Sequence, residues 1–427
     1  MIWQDLLKLQ AEDRSIRLGA SGAGWMGSGF LAAVAHVPGM DVRVLADTNL
    51  DDARRAFAAV NVTADMVIAS DSANKANDAL RKGKYVITDS YSLAAQIEEI
   101  DLVVDVTPSP AIGAETALAC IERGKDVVMV NIEADVTVGR ILHRMAEKAG
   151  TLYTVSSGDE PGCLMELWDF VNTLGYEPIV IGKGKNNPLD SSATPHTVRD
   201  SALKAGKDPY QVASYVDGTK TMFEMTCAAN ATGCVPMKQG MEGPEADLST
   251  VSKVFSLQED GGIVPFPGVV DFVQGEAMSG GVFITVRIEN TRIREDLQYL
   301  KVGKGKYFTF FRPYHLWFLE APVSVARAYL HRQPTLQSLD RKVADIMTMA
   351  KKDLAVGERL DTFGGYTFFG VNDRAEIVQA TGALPVGLAP GAVLRKTVQK
   401  GSPILWNDVE LDEQQEVVRL RRDQDSL

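Results

Sequence analysis

The sequence has no surplus of basic residues: 44 lysines and arginines stand against 56 aspartates and glutamates, a formal net charge of −12. A nucleic-acid partner needs a basic surface, so none is expected. No apolar run approaches the roughly 20 residues that span a bilayer, so no membrane segment is read. The opening Met1-Ile2-Trp3-Gln4-Asp5 lacks a basic stretch before an apolar core, and no secretory signal is expected. Cysteine is scarce, at 120, 163, 227 and 234, with no C-x-x-C pair. That argues against a disulfide framework and for buried free thiols in a reducing cytoplasm. The histidines at 36, 143, 196, 315 and 331 show no H-E-x-x-H or similar ligand spacing, so no structural zinc site is indicated. What remains is an ordinary globular composition, long enough for two or three domains.

One stretch organises the rest. Arg17-Leu18-Gly19-Ala20-Ser21 reads as a short strand that runs into G-x-G-x-x-G, formed by Gly22, Ala23, Gly24, Trp25, Met26 and Gly27. An amphipathic run follows, with Phe30, Leu31, Val34 and Val37. Gly22 permits the tight turn, Gly24 admits a pyrophosphate to the backbone, and Gly27 lets the helix pack close to the strand. The helix start offers N–H groups and a partial positive charge. A second strand, Val42–Ala46, ends in Asp47, twenty positions past Gly27, where a carboxylate can take ribose hydroxyls.

Apolar strand-like runs recur at 16–20, 42–46, 66–69, 85–87, 102–106, 127–130 and 152–155, with helical stretches between most of them. This is the βαβ rhythm of an α/β domain with a doubly wound parallel sheet, over residues 1–156. Ligands bind outside the carboxyl ends of such strands, which puts Thr107, Pro108, Asn131 and Glu133 on the rim with Gly22 and Asp47. Residues 1–14 read as a helical arm. From 157 to 355 the alternation is lost, and an α+β domain is expected. Its strands are read at 178–182, 282–288 and 307–311, with one helix over about 210–232. A helix over 320–330 is expected to pack back on the first domain. Residues 356–427 read as a small β-rich module with a charged, frayed tail from 419.

The second domain holds most of the polar clusters. Asp159 and Glu160 follow the last strand of the first domain. They can bind substrate, act as acid or base, or hold a divalent ion such as Mg or Mn; the other reading is a turn in which Asp159 caps the next helix. Lys183 and Lys185 lie two apart on a strand, hence on one face, and Asn186 and Asn187 follow. That set suits an anionic, hydroxyl-rich substrate, and a desolvated lysine can protonate a carbonyl; the other reading is a basic surface turn. Asp217, Lys220 and Glu224 have helical spacing and form one polar stripe, facing either a cleft or water. Arg312 can hold a phosphate or carboxylate, and His315 is an acid–base candidate or a satisfied core residue.

Gly158-Asp159-Glu160-Pro161-Gly162, Gly182–Leu189, Val216–Met222 and Arg312-Pro313-Tyr314-His315-Leu316 together resemble the homoserine-dehydrogenase-related oxidoreductases called reductoisomerase-like. Some members are similar in activity to 1-deoxy-D-xylulose 5-phosphate reductoisomerase, a step toward isoprenoid precursors. The resemblance covers most of residues 15–350. It implies a Rossmann domain, a substrate and dimerisation domain of α+β type, a homo-oligomer (dimer or tetramer), and NADP; Asp47 with Asp51 and Asp52 would repel a 2′-phosphate, so NAD stays open. The segment 360–412, with Leu384–Leu388 and Lys400-Gly401, resembles a SAF domain, a β-clip module. The expected function is therefore an NAD(P)-dependent oxidoreductase on a small polyhydroxylated anionic substrate. Lys185, then Lys220, would be the proton donor, and Asp159 and Glu160 would be substrate or metal ligands. A homoserine-dehydrogenase-like or sugar-acid dehydrogenase is the alternative in kind. A non-enzymatic nucleotide or sugar sensor is the alternative in class.

Overall fold

In the computed structural model, which describes residues 1–427, the chain forms two compact units. The first comprises residues 1–162, 316–337 and 414–427, and the second 163–315 and 338–413.

The first unit is built on β1 (Ile16–Ser21), β2 (Met40–Ala46), β3 (Val67–Ala69), β4 (Tyr85–Thr88), β5 (Leu102–Asp105), β6 (Asp126–Met129) and β7 (Tyr153–Val155). They form one sheet in the order β3-β4-β2-β1-β5-β6-β7, every pair parallel. All seven expected strands are present. Strands buried on both faces read as continuous apolar runs, as β5 and β6 do, so they are easy to see in the sequence. The strand order reverses between β1 and β5, which marks the ligand rim of a doubly wound sheet. The helices α1 (Ile2–Ala11), α2 (Trp25–Val34), α3 (Leu50–Ala59), α4 (Pro110–Glu122) and α5 (Ile132–Ala149) belong to this unit. Phe30, Leu18, Leu45, Phe57 and Val104 share its core with Phe318, Ala321 and Val325, so the segment around the helix Ala321–His331 does fold back on it.

The tail differs from expectation. Glu416–Asp425 is a helix packed on α4 and α5, with Val417, Val418, Leu420, Arg421 and Gln424 buried. The Gln424 amide accepts from Ile141 N–H at 3.1 Å and donates to Thr137 C=O at 3.1 Å. Those backbone groups stand four residues apart on α5, so one side chain ties two successive turns. Of the charged residues that suggest a frayed end, Arg419, Arg422, Asp423 and Asp425 are exposed, while Arg421 is buried with the apolar stripe.

The second unit carries a four-stranded sheet in the order β11-β10-β8-β9, from β8 (Glu177–Lys185), β9 (Val269–Gln274), β10 (Val282–Arg287) and β11 (Tyr307–Arg312). β8 pairs parallel with β9 and antiparallel with β10. β9 was not expected; its apolar run is interrupted by Asp271, whose carboxylate accepts the N–H groups of Glu242, Gly243 and Phe272. α6 (Glu160–Thr173) leads into this unit. The single helix expected over 210–232 is two: α7 (Pro209–Val216) and α8 (Thr219–Thr232). The break is at Gly218, whose φ of 91° is left-handed, a conformation that glycine adopts without strain. α8 is buried along almost its whole length between the sheet and a second, antiparallel pair, β12 (Ala344–Ala350) with β13 (Phe368–Arg374). The expected module boundary near 356 falls in the connection between those paired strands. Two-residue strands β14 (Val393–Leu394) and β15 (Val409–Glu410) complete the β-rich stretch.

Candidate functional site

The glycine-rich turn has the geometry a dinucleotide requires. Gly22 has φ 101°. A Cβ on Gly24 would meet nothing within 4 Å, so that backbone is open to a ligand. A Cβ on Gly27 would lie 1.9 Å from the Gly22 carbonyl oxygen, so only glycine lets α2 start this close to β1. Ala23 is buried, and its N–H donates to the Asp47 carboxylate at 2.7 Å. Asp47 also accepts from Asn49 N–H at 2.8 Å, so the end of β2 and the turn are held as one rim. Trp25 is half exposed at the start of α2, edge-on to Trp317 and Phe318; Met26 is half-buried behind it. Arg54 and Arg55 lie on α3 beside Asp51 and Asp52, with which they pair.

Across the switch point, β5 and β6 supply the other half of the rim. Thr107 is buried and Pro108 exposed. Asn131 caps α5, accepting from Ala134 N–H at 2.9 Å, and donates to Thr107 Oγ1 at 3.2 Å and Ser109 C=O at 2.8 Å. Glu133 sits half-buried in the first turn of α5. Sequence reasoning missed the residue beneath them. Asp105, the last residue of β5, is fully buried and accepts from Thr107 N–H and from the Asn131 amide, each at 3.0 Å. Burial pushes its carboxyl up to about 7. It reads as one more strand residue, and only its position at a strand's carboxyl end could have singled it out.

The loop after β7 holds Asp159 and Glu160, both buried. Gly158, at φ 101°, turns the chain where a Cβ would lie 1.9 Å from the Trp317 carbonyl, and Trp317 N–H donates to Gly158 C=O at 2.7 Å. Ser324 Oγ accepts from Ser157 N–H at 2.7 Å. The loop is therefore fixed, and a carboxylate oxygen of Asp159 lies within 4.8 Å of one of Glu160. Two buried carboxylates at this separation are a donor set suited to Mg or Mn.

In the second unit, β8 and α8 bring the lysines and carboxylates together. Lys183 and Lys185 are 6% and 5% exposed, which rules out a basic surface turn. Lys183 is ion-paired with Glu224, 3% exposed, on the facing side of α8. Lys185 Nζ donates to Tyr215 C=O at 2.7 Å. Burial first, then the Lys183 charge, pulls its ammonium down to about 8, against the opposing pull of Glu224 and Asp217. Gly184 makes this packing feasible, because a Cβ there would lie 1.7 Å from Met278 C=O.

Other candidates are placed differently. With the helix broken at Gly218, Asp217 is not part of a continuous stripe with Lys220 and Glu224. It pairs at 2.7 Å with Lys351, a buried lysine that the sequence reading did not single out, and accepts from Thr219 N–H at 2.8 Å. Lys220 is half-buried, Asn186 exposed and Asn187 half-buried. Arg312 pairs with Glu166 at 3.1 Å and covers the Tyr314 ring. His315 Nδ1 lies 2.8 Å from Gly280 C=O, which sets the ring's orientation. All four cysteines are free and buried, as expected. No helix is long and apolar enough to cross a membrane.

Residues 22–156 match the family model for the NAD binding domain of homoserine dehydrogenase, and residues 158–321 match that for the catalytic domain of oxidoreductase DRL. No curated protein sequence matches the chain. Solved structures that align with it include the WlbA dehydrogenase of Bordetella pertussis, in complex with NADH and UDP-GlcNAcA (13% identity, 76% of this chain and 91% of that one, TM-score 0.42). Another is scyllo-inositol dehydrogenase of Lactobacillus casei, with bound NAD(H) and scyllo-inositol (12% identity, 75% and 91%, TM-score 0.40). The two family matches, with the glycine geometry above, define the class: an NAD(P)-dependent oxidoreductase. The particular substrate is a separate question.

Proposed function

We propose that this enzyme interconverts a CH–OH group and a carbonyl on a small, polyhydroxylated, anionic substrate. The observation that carries this reading is the buried set Lys183, Lys185 and Glu224, inside the segment that matches an oxidoreductase catalytic domain. A bound nicotinamide dinucleotide supplies or accepts the hydride. Gly22, Gly24, Gly27 and Asp47 hold it. Lys185, near 8, is charged at neutral pH yet releases a proton readily, so its Nζ gives the carbonyl oxygen the proton that balances hydride arrival at carbon. In the reverse direction Nζ takes that proton back. Lys183, with its charge held by Glu224, is the contact for the substrate's anionic group. Asp159 and Glu160 bind hydroxyls or a divalent ion, which would bring two adjacent oxygens together.

In its finest form the reading is a reductoisomerase-type reaction, and the four motifs shared with that family favour it; a homoserine or sugar-acid dehydrogenase is the second form. We assign residues 356–427 to a SAF-type module with a structural role, and we read the enzyme as a homo-oligomer. The test follows NADPH and NADH absorbance with a panel of sugar phosphates and hydroxy-keto acids. A substrate from the panel that bleaches the cofactor with wild type, and fails to with Lys185→Ala, is the expected outcome. Bleaching by Lys185→Ala at the wild-type rate would remove Lys185 from the chemistry.

A further inference from the structure

Asp105 sits where the fold places the nicotinamide half of a dinucleotide. In a doubly wound sheet the two mononucleotide halves bind on opposite sides of the switch point. Here Asp47, on β2, marks the ribose of one half, so the rim of β5 and β6 takes the other. Asp105 underlies that rim. Its Oδ1 accepts from Thr107 N–H, and its Oδ2 accepts from Asn131, which caps α5 and holds the Ser109 carbonyl at the start of α4. Gly113 lets α4 come close, because a Cβ there would lie 2.8 Å from Asp105 Oδ2 and 2.6 Å from the Asn131 amide. One buried carboxylate thus anchors the first turns of two helices.

The charges around it matter. Glu133, from the first turn of α5, is of like sign and raises its proton affinity. Cys120, from α4, is a buried thiol held neutral by desolvation. Burial raises the Tyr91 hydroxyl, and the Asp47 and Asp105 charges add to it, so the two carboxylates act on a common region. The opposing influences are the Thr107 and Asn131 hydrogen bonds. The oxidised nicotinamide ring is a cation and the reduced ring is neutral. An ionised carboxylate beneath the ring would therefore favour the oxidised form, and a neutral carboxyl would remove that preference.

We propose that Asp105 is a positioning residue for the nicotinamide half, acting through Thr107 and Asn131, and that its protonation sets the preference between reduced and oxidised cofactor. By linkage, the oxidised cofactor then binds with proton release from Asp105, and the reduced form with less. Burial places this titration near neutral pH, about 7.

The test is dinucleotide binding without substrate. Dissociation constants for NAD+, NADH, NADP+ and NADPH are measured from pH 6 to 8.5, and the pair that binds tighter is followed. In wild type the reduced form should weaken relative to the oxidised form by about fivefold to tenfold across that range, the size expected for one partly desolvated charge. Asp105→Asn keeps the shape and stays neutral, so the ratio should become flat. Thr107→Ala, which keeps the Thr107 N–H bond to Asp105, would shift all affinities without flattening it. Calorimetry of the wild type at pH 7.5, in two buffers of different ionisation enthalpy, gives the proton count directly and does not depend on the variant folding. A ratio independent of pH in wild type, an unchanged slope in Asp105→Asn, or equal proton exchange for both redox forms overturns the proposal.

Discussion

Replacing Lys185 by methionine should make the protein more stable while it removes activity. The side chains are similar in length, so the packing of the buried stem is largely kept. What changes is a buried charge. Burial, reinforced by Lys183, takes the Lys185 ammonium from 10.5 to about 8. Such a displacement corresponds to a cost of about 3 kcal/mol for holding the charged form at pH 7. Methionine carries no such cost. It forfeits the hydrogen bond to Tyr215 C=O, worth about 1 kcal/mol. The balance favours Lys185→Met by about 2 kcal/mol at pH 7. The pH dependence has a definite sign. Between about 8 and 10.5 the unfolded chain still holds the proton that the folded chain has released, so wild-type stability rises with pH through that window. The advantage of Lys185→Met is therefore full at pH 7 and shrinks toward pH 10. Denaturant melts of both proteins at pH 7 and 9.5 measure it, with cofactor oxidation followed alongside. On the proposed role, turnover falls by about a hundredfold or more. A variant less stable than wild type at pH 7, or an advantage that grows with pH, would refute the argument about the buried charge, whatever the activity.

Three further outcomes are expected. Gly27→Ala places a methyl 1.9 Å from the Gly22 carbonyl oxygen, so titration should show dinucleotide affinity lowered by about tenfold or more, with about 1–3 kcal/mol of overpacking cost in melts. Asp47→Ser removes a charge that opposes a 2′-phosphate while keeping an acceptor for Ala23 N–H, and the NADP/NAD affinity ratio should rise by about tenfold; an unchanged ratio places Asp47 away from the ribose. Lys351→Met leaves Asp217 buried and unpaired and should cost about 3–5 kcal/mol, most of it recovered in the double variant with Asp217→Asn; equal stability of the single and double variants would show that the pair is not coupled.

What could be read from the sequence follows the range of the interactions. The seven parallel strands and the three glycine roles are local: an apolar run between turns, or a backbone that must bend, admit or pack. β9 was missed because Asp271 interrupts its run, and the N–H groups that satisfy Asp271 include those of Glu242 and Gly243, far earlier in the chain. The Asp217–Gly218 break was hidden because helical spacing continues across it, and only a backbone angle reveals the turn. The partner of Asp217 is Lys351, which arrives from β12 and its following turn. The last helix looked frayed because its charges are visible and its stripe of Val417, Leu420 and Gln424 is apolar only in part. Its partner, α5, lies almost three hundred residues earlier. Apart from the Gly218 turn, the missing information was a partner, and a sequence does not say who the partner is.

The two groups with the clearest chemical bias share one design. Asp105 is pushed up to about 7 and Lys185 down to about 8, from opposite ends of the scale. Desolvation is the leading cause for both, and each has a neighbour of its own sign, Glu133 in one case and Lys183 in the other. A fold selected for stability alone would pair each directly with an opposite charge, as it does for Asp217 and Lys351. Desolvation, with these like-charge neighbours adding to it, brings a carboxyl and an ammonium to the pH range in which both exchange protons readily. A reaction that moves a hydride to carbon must also move a proton to oxygen, and the redox change of the cofactor alters a charge by one. A lysine near 8 suits the first task and a carboxyl near 7 the second. The stability lost at Lys185 is thus the measurable counterpart of its chemistry, and the melts and the turnover of Lys185→Met should change in opposite directions.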